Sequence, residues 1–124
     1  MPKPKSLAFA RIRAEVIRLV ALIPEGKFTT YGSIATHMNA GARHVAFVMS
    51  GLTEEEAVSL PWHRVVGSDA RVSQSMPLKV ARLQRKRLKA EGMKVNTQGF
   101  IQNADAHYHY PGPRRSIRWS HGQM

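Results

Sequence analysis

The chain has 124 residues, enough for one domain with one modest core. Nineteen Lys and Arg stand against eight Asp and Glu, a formal net charge of +11, which points to a polyanion, nucleic acid ahead of a membrane surface or a merely soluble basic face. Cysteine is absent, which excludes disulfides, thiolate metal sites and thiol nucleophiles. No run of about 18 apolar residues suggests a membrane span. Lys3 and Lys5, with charges interspersed through the stretch that follows, do not read as a secretory signal, so the expected location is cytoplasmic, on the nucleoid.

Taken in chain order, residues 7–22 read as a helix with Phe9, Ile12, Val16, Val20 and Ile23 at helical spacing, Ser6 as its N-cap, and Pro24 and Gly26 ending it. Lys27 to Thr30 is a turn or a strand pair of residues. Gly32 to Met38 reads as a short helix, Asn39-Ala40-Gly41 as a turn, and Ala42 to Ser50 as a third helix closed by Gly51 as a C′ residue. Val45, Val48, Met49 and Leu52 form the buried stripe of that helix, and Arg43, Ala46 and His44 face outward. Two short helices about a tight turn, with small and basic residues on the outer face of the second, describe a helix-turn-helix.

Glu54 to Val58 is a helical extension or a loop, and Glu54-Glu55-Glu56 is expected to face solvent away from the polyanion. Gly67 to Arg71 is a turn, and Arg71 to Gln74 a possible returning strand. Pro77 at a first helical position opens the last helix, which runs to about Glu91 and stops at Gly92. Val80, Leu83 and Leu88 give it an apolar side, and Arg82, Arg85, Lys86 and Lys89 a solvated one. Basic charge concentrates there, with Lys79, Arg87 and Lys94, and again at Arg114, Arg115 and Arg118. Residues 95–124 have no helical period and read as an extended tail with one short strand, either an extension of the domain formed by residues 1–94 or a separate tail. His107 and His109 lack further ligands at metal-binding spacing, so no metal is expected.

Leu60-Pro61-Trp62-His63-Arg64-Val65-Val66 is an apolar run that presents an indole and an imidazole, closed by Gly67. Pro61 blocks helix continuation and biases Leu60 to an extended conformation. On these residues alone the run is a core tryptophan beside a satisfied histidine, or a built site. The run resembles the active-site motif of the O6-alkylguanine-DNA alkyltransferases, Pro-Cys-His-Arg-Val, with Trp62 where the reactive cysteine stands, the mark of the alkyltransferase-like proteins. Ile23-Pro24-Glu25-Gly26-Lys27-Phe28-Thr29-Thr30-Tyr31-Gly32-Ser33-Ile34-Ala35 is similar to that family's IPxGK-x-x-TYGxIA segment. Ala42-Arg43-His44-Val45 is similar to its Ala-Arg-x-Val helix, and Glu91-Gly92 to the Glu-Gly closing its last helix. The match covers roughly residues 7–94.

The resemblance implies an α/β, mostly helical, winged-helix-like DNA-binding domain. It also implies a non-catalytic function, because an indole has no lone pair suited to displacement at an alkyl carbon. The implied function is to bind duplex DNA containing O6-alkylguanine, turn the damaged nucleotide out of the stack and direct it to nucleotide excision repair. By the same resemblance, Tyr31, Trp62 and Val65 line the lesion pocket, Arg43 fills the vacated place in the duplex, and Ala42, His44 and Ala46 belong to the DNA-binding helix, which lies in the minor groove. His63 and Glu91, the transferases' relay, have nothing to activate and read as a structural pair. The implied partners are lesion-bearing DNA and a UvrA-type sensor; no cofactor is implied, and a monomer is expected. The sequence departs from the transferases in three ways: no Asn in Ser50 to Glu56, Ser73-Gln74-Ser75-Met76-Pro77 in place of their glycine-rich wing, and no counterpart of their N-terminal domain. Two competing readings are an operator-reading regulator, for which Ala46, Phe47 and Met49 offer few base-reading groups, and a damaged-base glycosylase, for which Asp69 is the only nearby acid.

Overall fold

The computed structural model describes residues 4–117 and residue 119. In chain order the elements are helix α1 (Pro4–Ala21), strand β1 (Thr29–Thr30), helices α2 (Tyr31–Met38), α3 (Ala42–Ser50) and α4 (Glu54–Ser59), a 3₁₀ turn at Trp62–Arg64, strand β2 (Val65–Val66), a second 3₁₀ turn at Ser68–Ala70, and helices α5 (Leu78–Ala90) and α6 (Ala104–His107). The protein is a mostly helical domain with a very short sheet.

That sheet is small but organises the core. β1 and β2 pair in parallel, Thr29 with Val65 and Thr30 with Val66. Consecutive strand residues point to opposite faces, so adjacent valines serve two different apolar clusters. Val65 joins Ile12, Val16 and Val20 of α1, Ile34 and Met38 of α2, and Val45 and Val48 of α3. Val66 joins Phe28, Val72, Leu88, Met93, Val95 and Ile101. One cluster holds the helix-turn-helix against α1. The other holds α5 and the segment after it.

The helix ends follow local chemistry. Thr30 caps α2 by accepting a bond from the Ser33 N–H at 3.0 Å, and Asn39 closes that helix in the left-handed conformation, φ 59°. Thr53 and Glu56 form a reciprocal capping box that makes residues 54–59 a helix rather than a loop. Several expectations need correction. α1 begins at Pro4, so Ser6 lies within the helix and is not its cap. Gly51 follows α3 with φ −105° and does not use the left-handed region. Residues 71–74 form no strand; Arg71 makes only isolated bridges to Gly67 and Phe100. Pro77 is the N-cap of α5, one residue before its first turn. Glu56 does not simply face solvent, because Arg13 of α1 holds its carboxylate at 2.5 and 3.0 Å, which keeps it acidic at a pKa of about 2.

The largest departures concern α5 and the residues after it. The core face of α5 is Gln84 and Leu88, both with no exposure, whereas Val80 and Leu83 are 37% and 40% exposed. Residues 95–117 pack on the domain. Val95 and Ile101 enter the second cluster. Phe28 donates its N–H to His107 O at 2.9 Å, and His109 donates to Phe28 O at 2.7 Å, which lays this segment along β1. Further on, His37 Nδ1 lies 2.7 Å from Pro113 O, and the Arg115 N–H donates to His37 O, so the segment runs down α2. Arg118 lies outside the described residues.

Candidate functional site

α2 and α3 stand as the sequence pattern predicts, joined by the turn at residues 39–41. The outer face of α3 carries Ala42, Arg43, His44 and Ala46, all exposed. Arg43 sits in the first turn and has no hydrogen bond or ion pair among the described residues.

Behind α3 lies an open chamber of about 480 Å³, within the span of roughly 300–1,000 Å³ typical of small-molecule sites. Four helices, a 3₁₀ turn and a loop build it. Tyr31 comes from the start of α2, Ala46 and Met49 from α3, Ala57 and Val58 from α4, Trp62 from the first 3₁₀ turn, Ser73, Ser75 and Met76 from the loop before α5, and Val80, Leu83 and Arg87 from α5. The exposure of Val80 and Leu83 is thereby explained: helical spacing turns residues 80, 83 and 87 into the chamber while 84 and 88 face the core. The walls are overwhelmingly apolar. Arg87 is their one charged side chain among the described residues, and its guanidinium lies over the Trp62 ring, 5.4 Å from the centroid, a distance for cation–π attraction. Burial pushes the Tyr31 phenol above its usual range, so it stays neutral and keeps its proton for donation.

Beneath Trp62 the chain is tied to α5 by ionic and polar bonds. His63 Nε2 lies 2.6 Å from Glu91 Oε2. The same carboxylate accepts from Arg64 Nε at 3.0 Å, Arg64 Nη2 at 2.8 Å and the Gly26 N–H at 3.0 Å. Gly26 reaches it with φ +83°, a conformation that favours glycine. Burial alone would raise the Glu91 carboxyl, but Arg64, the Gly26 N–H and His63 outweigh it and hold the pKa down to about 2. An ionised carboxylate at that distance requires the proton on His63 Nε2. Gln84, fully buried, donates Nε2 to His63 O at 3.1 Å and to Val65 O at 2.9 Å, which pins the backbone on either side of Arg64.

Of the residues expected to form a pocket, Tyr31 and Trp62 meet in the chamber wall and Val65 does not. Val65 is 1% exposed, because its pairing with Thr29 turns its side chain into the core. Ala46 lines the chamber, and Arg43 stands one ridge away. His63 and Glu91 pair directly, with Arg64 as a third member that sequence reading missed. Arg87 and Gln84 were also missed, since on α5 one resembles its basic neighbours and the other carries no motif. Asp69 is exposed in a left-handed turn, φ 61°. No group of three or more His, Asp or Glu placed to hold a metal ion occurs among the described residues, and no described helix is long and apolar enough to cross a membrane.

A helix-turn-helix with an exposed arginine at the head of its second helix and an indole-walled chamber behind it is the build of a small nucleic-acid-binding domain. The chain belongs to the family of the 6-O-methylguanine DNA methyltransferase DNA binding domain, which it matches over residues 11–93. It is 41% identical over 88 residues to the DNA base-flipping protein of Escherichia coli, across 69% of this chain and 65% of that protein. It therefore spans just under two thirds of that relative's length. It is 37% identical over 83 residues to Alkyltransferase-like protein 1 of Schizosaccharomyces pombe, across 65% of this chain and 75% of that one. The crystal structure of S. pombe Atl1 in complex with damaged DNA containing O6-carboxymethylguanine superposes with a TM-score of 0.69 at 30% identity, across 81% of this chain and 95% of that chain. The similarity in fold extends beyond residues 11–93.

Proposed function

We propose that this protein is a non-catalytic reader of O6-alkylguanine in duplex DNA. The observation that carries the reading is Trp62, set in the wall of an apolar chamber directly above the His63–Glu91 pair, in a chain without cysteine. In this reading Trp62 takes the place of the transferases' cysteine. An imidazole–carboxylate pair can activate a thiol, but here nothing beside it can attack an alkyl carbon. Glu91 has its oxygens engaged by Arg64, Gly26 and His63, so the pair holds the 3₁₀ turn to α5 and moves no proton.

In this reading the basic surface holds the phosphates, and α3 lies against the groove. Tyr31 crowds the nucleotide out of the stack, and Arg43 takes its place between the neighbouring bases. A planar guanidinium can both stack there and bond to the unpaired partner base. Extruding a base costs a few kcal/mol, offset by transfer of the alkylated purine from water into the chamber. The indole face, Met49, Met76, Val80 and Leu83 supply apolar and polarizable surface that suits an alkyl substituent. Relatives carrying the names DNA base-flipping protein and alkyltransferase-like protein support this reading, as does the structure of S. pombe Atl1 with damaged DNA. No carboxylate lines the chamber among the described residues, which disfavours a glycosylase.

The test is a titration of matched duplexes, one with O6-methylguanine and one with guanine, at stated salt, followed by mass measurement of protein and DNA. Selective binding with both molecules chemically unchanged supports the reading, and equal affinities overturn it. We further propose that the bound monomer hands the lesion to a UvrA-type excision-repair sensor in the cytoplasm. A pull-down of that sensor on lesion duplex, with and without this protein, tests the hand-over, and no enrichment refutes it.

A further inference from the structure

Phe47 is left without a role in the function argued above. It is 66% exposed, on the outer face of α3 that also carries Arg43, Ala46 and Ser50. The helix buries itself through Val45 and Val48 and does not need Phe47 for its core. Its aromatic neighbour is Phe9 of α1, met edge to face with centroids 5.5 Å apart. Four residues on from Arg43, Phe47 stands one turn further along the same ridge, about 6 Å away. Ala46 beside it is a wall of the chamber, so this ridge follows the chamber rim. Ala42 and Ala46 are short, which leaves the guanidinium and the phenyl ring standing above the surface.

We propose that Phe47 is an apolar wedge against duplex DNA, acting beside Arg43; the proposal rests on the reading of the α3 face as the DNA-binding face. The offset of about 6 Å is close to two base-pair steps of about 3.4 Å. Arg43 gains by meeting an acceptor or a phosphate. A phenyl ring gains only by leaving water against a base face or a deoxyribose. Apolar side chains inserted at a base step unstack it and bend the duplex. A step loosened two pairs from Arg43 lowers the cost of extruding the nucleotide at the chamber mouth. Phe9 braces the ring edge-on, so little side-chain freedom remains to be lost on binding. A net charge of +11, with Arg43 on the same ridge, makes DNA rather than a protein the occupant.

The experiment compares wild type, Phe47→Ala, Phe47→Leu and Arg43→Ala on O6-methylguanine and guanine duplexes over a range of salt, with end-labelled DNA reporting the bend. Phe47→Ala is expected to weaken binding to both duplexes about tenfold, the scale of losing one aromatic contact to a base. It is also expected to reduce the bend and leave the salt slope as in wild type. Phe47→Leu should retain part of each. Unchanged affinity and bend in Phe47→Ala overturn the proposal, whether the ring serves a protein partner or none. So does a loss of affinity matched by a lowered melting temperature and restored on cooling, which would make the ring a cover for Phe9. If wild type shows no preference for the lesion, the damage-reading function fails, yet the guanine duplex alone still decides the wedge.

Discussion

Replacing Glu91 by Gln tests the link between the ionic cluster and the standing of Trp62. The substitution keeps the shape and removes the charge from a side chain only 12% exposed. Arg64 would lose its counter-charge, and His63 Nε2 and the Gly26 N–H would keep at best a neutral acceptor. The carboxyl is held at about 2 against an ordinary 4.5, and at about 1.4 kcal/mol per pH unit that corresponds to about 3 kcal/mol favouring the ionised form in the folded state. With an unfolding entropy of about 2.1 cal/mol/K per residue, the loss lowers the melting temperature by roughly 12 °C at this chain length. Because the folded pKa is depressed, the stabilisation is fully present above pH 4.5 and is lost as pH falls toward 2. Urea unfolding by circular dichroism across that window should show the wild type converging on the variant. Glu56, also held at about 2, is common to both proteins and cancels in the difference. A variant within 0.5 kcal/mol of wild type at neutral pH, or a gap that does not close with acid, would refute the role assigned to the cluster.

Other expectations are equally direct. Arg43→Ala should weaken binding to lesion DNA by about 1–3 kcal/mol without lowering thermal stability; unchanged affinity by fluorescence anisotropy would remove Arg43 from the interface. Trp62→Ala should erase preference among O6-alkyl groups more than it lowers affinity for plain duplex, and equal losses on both would reduce Trp62 to packing. Trp62→Cys should leave the alkyl group on the DNA, since Glu91 is already engaged by Arg64 and the loop at residues 73–77 lacks the transferases' glycines; an alkylated protein mass would contradict this. Gln84→Leu leaves the carbonyls of His63 and Val65 without donors and should destabilise by about 1–3 kcal/mol per orphaned group, to be read from urea midpoints.

Much of the architecture was legible in the amino-acid order because its causes are local. The helical recurrence of Ile12, Val16 and Val20 made α1. The Asn39-Ala40-Gly41 break and the Val45/Val48 stripe made the two helices that follow, with Arg43 outward. The missing cysteine excludes thiol chemistry, since no folding can supply a thiolate. The Trp62-His63 sequence and the distant Glu91 were legible as a site only through their resemblance to a family. What the order left open depends on contacts between residues far apart. Val65 and Val66 are indistinguishable along the chain, and only pairing with Thr29 and Thr30 sends one into each cluster, which removes Val65 from the expected pocket. Val80 and Leu83 read as core because apolar spacing marks a face without saying what lies opposite. In the fold α3, α4 and the loop at residues 73–77 stand back from them, so that face lines a chamber while Gln84 is buried. The segment after residue 95 showed no period, since beyond a few local turns it is held by Phe28, by Ala70 to Val72 and by α2. Periodicity reports a chain's own geometry, whereas a chamber, a pairing register and an ion pair arise only when separate elements meet.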